Sequence, residues 1–333
     1  MDDPEVSVII PSRDRTWRLE RAVLSALAQE DVCFEIIVVD DGSKVPISRR
    51  LGAETTDAVT VIRLESSHGP AGARNVGIEA ANGTWVAFLD DDDVWSPWKL
   101  RRQLHSLSSD GEFTFASSFV IDDKGTISID PVTVLSRDVR RVALARNPIP
   151  GCCSNLLALT SLVRSVDGFD ASIHALEDWD LVIRLSEEGR AVVTKEPLLA
   201  YSLHRGNRHT HEASVRTSYH RLAEKYADVR NELGIALDLE WWWTWRLEAA
   251  IRASDWAGIA KAYWELGRLH RDPSLLVRAA VARVSGHRLI GMVGRLRRPA
   301  QPAGGVDPPP WLDHALHSAH DQGRAPGAPN GQA

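Results

Sequence analysis

Through the first 120 residues, apolar runs of five or six residues alternate with helix-length amphipathic stretches, and this alternation limits the fold more than any other feature of the chain. Residues 6–10 form a β-rich run ended by Pro11. A helix follows over about 17–29, with Leu19, Ala22, Val23, Ala26 and Leu27 on one face. The run 35–39 closes on the turn signal Asp41-Gly42-Ser43, and 59–64 reads as a third strand. His68-Gly69-Pro70 opens a helix that stops near Gly83, and a fourth strand over 84–89 runs straight into four aspartates. Strands spaced by helices of this length make βαβ units and a mostly parallel sheet, an α/β architecture. Ligands of such sheets bind beyond the carboxyl ends of the strands. Pro11-Ser12-Arg13, Asp40-Asp41-Gly42-Ser43 and Asp90 to Asp93 all fall there, so three polar clusters share one edge.

The pattern is mixed from about 113 to 200, where a helix over 176–188 starts at an acidic cluster and ends at Gly189. Residues 215–295 are helical in pattern and rich in Trp, Arg and Ala. From Pro299 onward Pro, Gly, Ala and Gln dominate, so 299–333 is expected to be disordered, with Trp311, Leu312 and Leu316 as a short docking segment. The net charge of −6 gives the molecule no cationic footprint for nucleic acid. No apolar run reaches the roughly 18 residues of a spanning helix. The acidic start MDDPEVSV lacks the basic and apolar regions of a secretory signal, so the expected location is the cytoplasm. Cys33, Cys152 and Cys153 are an odd set without CxxC spacing and read as buried reduced thiols.

On an extended backbone residues i and i+2 share a face, which would aim Asp90 and Asp92 together. Two carboxylates at a strand end suit a hard divalent cation such as Mg²⁺ or Mn²⁺, which takes one or two protein carboxylates and substrate phosphates. A solvated acidic loop is the plainer reading, but four like charges against an apolar strand repel one another. A carboxylate in Asp40-Asp41-Gly42-Ser43 can accept from a base edge or from ribose, or the segment is a turn. Residues 69–77, GPAGARNVG, feed a helix whose start offers free N–H groups, with Arg74 as a fixed cation near an anionic ligand. The same small residues suit a helix packed on the sheet. Neither GxGxxG nor GK[ST] is present. Glu177-Asp178-Trp179-Asp180 either favours its helix terminus or supplies a general base. His204 is a candidate metal or phosphate ligand.

In order, VSVIIPSRDR, EIIVVDDGS, GPAGARNVGI, WVAFLDDDDVW and ALEDWDLVIRL closely resemble the inverting family 2 glycosyltransferases of the GT-A fold. The resemblance covers about residues 5–205. It implies a catalytic domain over 1–210, with a nucleotide-sugar half to about 120 and an acceptor half beyond it. A helical region over 211–298 and the tail 299–333 would follow. It further implies that Pro11 and Arg13 line the nucleotide pocket and that Asp41 contacts the base, uracil or thymine. Arg74 would lie beside the nucleotide end of the donor. Asp90 and Asp92 match the DxD element, with Asp92 the direct metal ligand and Asp90 near the ribose. With four aspartates in a row the pair is either 90/92 or 91/93, which brings Asp91 into the donor site. Asp178 would be the general base, and His204 a further metal or diphosphate ligand. The implied partners are a UDP or dTDP sugar, Mn²⁺ or Mg²⁺, and an acceptor that is a glycan, a lipid carrier or a small aglycone.

Two features lie outside the resemblance. Trp241, Trp242, Trp243 and Trp245 cannot all face one core from a helix, and they suit a helical core, a dimer interface or an acceptor groove. Residues 268–298 hold eight arginines and a single acid, Asp272, which suits a helix on anionic lipid or a basic helix packed on the acidic domain. A silent sugar-nucleotide or carbohydrate-binding module would be expected to lose Asp90, Asp92 or Asp178, and a nucleotidyltransferase would carry a glycine-rich loop after the first strand.

Overall fold

The computed structural model describes residues 3–15, 17–49, 51–108, 110–122, 125–203, 212–285, 306–313 and 315. In chain order the elements are β1 (Val6–Ser12), α1 (Trp17–Leu27), β2 (Phe34–Asp40), α2 (Ala53–Asp57), β3 (Thr60–Arg63), α3 (Gly69–Ala80), β4 (Trp85–Phe88) and β5 (Val94–Trp95). Then come α4 (Lys99–Leu107), β6 (Phe113–Ile121), β7 (Ile127–Asp130), α5 (Val139–Ala145), β8 (Leu157–Leu159), α6 (Thr160–Ser165), α7 (Glu177–Glu188) and β9 (Ala191–Ser202). The helices α8 (Glu212–Lys225), α9 (Ala227–Leu233), α10 (Leu239–Ala253), α11 (Trp256–His270) and α12 (Pro273–Ser285) complete the set.

The chain divides into two compact units. The first comprises 1–143, 148–203 and 306–333 and contains a sheet of order β3-β2-β1-β4-β8-β6-β9-β5, with β7 on β6. The expected α/β sheet is parallel through β3-β2-β1-β4. Beyond β4 it continues with β8 antiparallel, and β6 and β9 pair parallel. All of β1 is buried between its two neighbours, which is why its sequence reads as a continuous apolar run rather than an alternation. Pro11 lies inside β1, opposite Val39, but past Ile9, where the pairing with β4 stops. Its missing N–H therefore breaks no ladder to β4. On α1 Leu19, Ala22, Val23 and Ala26 are buried, the face read from periodicity.

α3 approaches β1 closely because its contact residues are small. A Cβ on Gly77 would stand 2.4 Å from Ile9 Cγ2. Gly42 sits at φ +69°, and a Cβ there would meet the Ser66 backbone carbonyl carbon at 2.9 Å, so this turn requires glycine twice over. Together these elements bring the ends of β1, β2 and β4 to one edge.

Within 299–333, expected to lack order, residues 306–313 pack on the first unit's sheet. Val306 N–H donates to the Ile127 carbonyl at 3.0 Å. Leu312 is fully buried among Val94, Phe119, Ile127 and Ala200, and Trp311 tilts against Phe119 with ring centroids 6.0 Å apart. Leu316 lies outside the described residues.

The second unit, 144–147 and 204–305, is helical where described. Asp238 caps α10 by accepting Trp241 N–H at 2.8 Å, and Asp255 caps α11 by accepting Gly258 N–H at 3.1 Å. Its core includes Leu247, Ala250, Ile259 and Leu266. Of the tryptophan run only Trp242 is buried, stacked on Tyr219 at 3.7 Å, and Trp243 packs partly against the core. No helix among the described residues is long and apolar enough to cross a membrane.

Candidate active site

The four aspartates do not continue β4. The chain turns at once, and Asp93 N–H closes the turn on the Asp90 carbonyl at 3.2 Å. The extended geometry from which Asp90 and Asp92 were paired is therefore replaced by a turn that sends each carboxylate to its own partner. Asp90 meets Arg74 Nη2 at 2.5 Å. Asp91 accepts from the Ser12 hydroxyl at 2.6 Å and lies 4.0 Å from Arg15. Asp92 stands 3.7 Å from Arg15, and its carbonyl accepts from Arg21 at 3.1 Å. Asp93 is fully buried, accepting from Ser154 at 2.6 Å, the Cys152 thiol at 2.9 Å and Ser202 N–H at 3.0 Å.

Crowding of like charge sets the electrostatics. Burial, and then the charge of Asp92, push Asp91 from 3.8 up to about 7, although the Ser12 hydrogen bond and Arg15 pull it down. Burial likewise raises Asp93, with Asp92 and Asp90 adding to it. The Cys152 thiol is raised by burial and then by Asp93, so it stays a thiol. Cys152 and Cys153 are buried, as the sequence suggested, whereas Cys33 is exposed.

Arg74 joins this turn to a segment about a hundred residues away. Its Nη1 donates to Glu177 Oε1 at 2.9 Å, and its guanidinium lies 5.2 Å from the centre of the Phe169 ring. Both members of the Arg74–Glu177 pair are 3% exposed. Burial opposes the arginine's charge, but Asp90 and Glu177 outweigh it. Leu176, at φ +63°, precedes α7 and makes no side-chain cap, so none of the carboxylates is the N-cap. They sit in the first turn instead, where the helix terminus still favours their charge. Asp180 is buried against Arg184 at 2.8 Å, and Trp179 anchors the turn by donating to the Ala143 carbonyl at 2.6 Å. Asp178 falls between these two inward carboxylates, half-buried, with Oδ1 accepting Trp179 N–H at 2.8 Å.

At the end of β2 two adjacent aspartates do different work. Asp40 is buried and accepts from Ser43 N–H, Ile47 N–H and Arg63. Burial would raise its pKa, but these bonds outweigh it and the net shift is downward. Asp41 holds the approach to α3, accepting from the Ser67 hydroxyl and His68 N–H, each at 2.6 Å, and from Gly69 N–H at 3.2 Å. The loops after β1 and β2 are laced together, since Asp14 N–H donates to Ser43 Oγ and Lys44 N–H to Asp14 Oδ1, both at 2.9 Å. Arg13 lies in that loop, exposed and 3.9 Å from Asp14, and Pro11 is buried in the strand before it. His204 lies outside the described residues.

The structure thus gathers Arg74, Asp90 and the start of α7 into one cluster, beside Asp91 and Asp92 and near the loops of Arg13 and Asp41. Ser12, Arg15, Glu177, Cys152 and Ser154 also belong to it. Ser12, Arg15 and Glu177 sit inside the motifs already quoted, whereas Cys152 and Ser154 carry no local signal. The turn offers carboxylate oxygens, the ligand type of a hard divalent cation, each already with a protein partner of its own. Asp90, Asp93 and Cys152 bring ligand atoms within 4.8 Å of one another, but a protonated thiol is a poor ligand for Mg²⁺ or Mn²⁺.

The model of Glycosyl transferase family 2 matches residues 7–154. Succinoglycan biosynthesis protein ExoO of Rhizobium meliloti is 36% identical over 127 residues, which span 38% of this chain and 35% of that protein. An uncharacterized glycosyltransferase of Haemophilus influenzae is 30% identical over 208 residues, 60% of this chain and 68% of that protein. Among solved structures, S. aureus TarS 1-349 in complex with UDP-GlcNAc has a similar fold, with TM-score 0.52 and 17% identity, over 83% of this chain and 79% of that one. The chain belongs to glycosyltransferase family 2.

Proposed function

We propose that the chain is a metal-dependent inverting glycosyltransferase. It takes a sugar from a UDP or dTDP donor in the cytoplasm and passes it to an acceptor hydroxyl, with catalysis in residues 1–210. The observation that carries this reading is the Arg74 bridge, which ties Asp90 of the acidic turn to Glu177, the residue before Asp178. One buried guanidinium thereby links the turn proposed to bind the donor to the residue beside the proposed base. The UDP-GlcNAc complex of S. aureus TarS supports a nucleotide-sugar donor.

In this reading Pro11, Arg13 and Asp41 line the nucleotide pocket, Arg74 and Asp90 flank the donor, and Asp91 and Asp92 face its diphosphate. Asp92 would hold Mn²⁺ or Mg²⁺, with His204 as a further ligand. When bound, the cation neutralises negative charge growing on the leaving diphosphate. Asp178 takes the proton of the acceptor hydroxyl as that oxygen attacks the anomeric carbon. The bond from that carbon to the phosphate oxygen breaks, its electron pair leaves with the nucleoside diphosphate, and the configuration inverts. Asp178 then returns its proton to solvent.

The test is release of nucleoside diphosphate from UDP- and dTDP-sugars with Mn²⁺ or Mg²⁺, in the wild type and in Asp92→Ala. Release that needs the cation and disappears in the variant is the expected result. Release that is indifferent to chelator would remove the metal from the mechanism.

A further inference from the structure

We propose that the outer face of α11 and α12 is a docking surface for a lipid bilayer with anionic headgroups. The sequence pointed to residues 268–298, and the described part of the surface lies within 256–285. α11 buries Ile259, Ala262 and Leu266 against its neighbours. Positions 257, 261, 264 and 268 recur at helical spacing on the opposite side, and all four are exposed. They are Ala257, Lys261, Trp264 and Arg268, with Trp264 50% exposed. An indole between two cations, its polar edge free to face headgroups while its ring enters the acyl boundary, is the composition of an interfacial helix. Glu265 flanks this ridge and reaches Arg268 at 3.6 Å.

α12 repeats the theme. Ala279 and Ala282 are buried, whereas Val277 is 61% exposed and Arg283 is exposed. Of the ten large apolar side chains exposed among the described residues, six lie between Leu233 and Val277. Three of them, Trp264, Leu269 and Val277, lie on α11 and α12.

Charge selects the occupant. Among the described residues, 256–285 carry Lys261, Arg268, Arg271, Arg278 and Arg283 against Glu265 and Asp272, a net of +3, and the remaining 34 basic and 43 acidic residues leave the rest of the chain at −9. A planar surface of anionic headgroups complements these cations, and its field fades within about 10 Å of solution. A second copy meeting this face with its own would bring like charge against like. With no helix able to cross the bilayer, the contact lies in its plane. This surface is independent of the transfer chemistry, so either can fail without the other.

The full chain would be sedimented with vesicles of equimolar phosphatidylglycerol and phosphatidylcholine, and with pure phosphatidylcholine vesicles. Binding to the anionic vesicles only, lost at high salt, is expected. Lys261→Glu combined with Arg268→Glu should lower the partition coefficient about tenfold or more. Trp264→Ala should lower it severalfold at all salt concentrations. All three substitutions are on exposed side chains, and an unchanged melting temperature together with unchanged donor cleavage would show that the fold is intact. Equal binding to both vesicle types, no binding, or variants that bind like the wild type would each overturn the proposal. So would binding to soluble polyphosphate without binding to vesicles, or a dimer abolished by Trp264→Ala in a protein that ignores lipid.

Discussion

Asp91 makes the acidic turn sensitive to pH. Its carboxyl is raised from 3.8 to about 7, so near neutrality it is often protonated. A cation binding beside it must displace that proton, so cation affinity should climb with pH up to about 7 and level off above it. In Asp91→Asn the climb should flatten, as titration of donor cleavage with Mn²⁺ at several pH values would reveal; an unchanged slope would acquit Asp91. The sign for folding is opposite. The unfolded chain ionises Asp91 first, so this group's contribution to stability is complete below 3.8 and lost as pH rises toward 7. The sequence marked the four aspartates but not their directions. Stacked along a strand they would repel, and the turn instead gives each its own partner. Ser154 and Cys152, which hold Asp93, are some sixty residues away and follow no period. The linkage of Arg74 to Glu177 was equally silent, because an ion pair across about a hundred residues leaves no local trace.

Between elements, the joint of α3 on β1 is the tightest at the site. Gly77→Ala would gain up to about 1 kcal/mol of helix propensity. The new Cβ, however, would stand 2.4 Å from Ile9 Cγ2, on a β-branched side chain buried in a central strand. Overpacking of that kind costs about 1–3 kcal/mol. Urea unfolding should therefore show a destabilised variant, and a more stable one would mean that α3 can lift from the sheet without loss. The first four strands and the helices between them were readable because β1, β2 and β4 are largely buried and leave unbroken apolar runs. Later strands were not. β9 passes from a half-exposed block through exposed Lys195 and Glu196 to buried Leu198–Ala200, carries Pro197, and shifts register against β6 around Ser117, so its pattern matches neither a buried run nor a clean alternation.

For the molecule as a whole, the tail shows at Trp311 and Leu312 the docking segment that the sequence suggested. Its sequence is Pro- and Gly-rich, yet Leu312, Trp311 and the Val306 hydrogen bond hold residues 306–313 against the sheet. Leu312→Ala should cost about 2–5 kcal/mol and lower the melting temperature; an unmoved melting curve would show that the segment is not docked. The proposed function puts nucleotide recognition in the half up to about residue 120 and proton removal in the half beyond it, and the Arg74–Glu177 ion pair joins segments of the two. Asp178→Asn separates these roles. Turnover of the preferred donor and its dissociation constant, measured side by side, should diverge. Turnover should fall by about 10²–10⁴-fold, the usual contribution of a positioned base, with donor binding nearly unchanged. Turnover equal to the wild type would contradict the assignment of Asp178 as the base and leave the acidic turn without its partner.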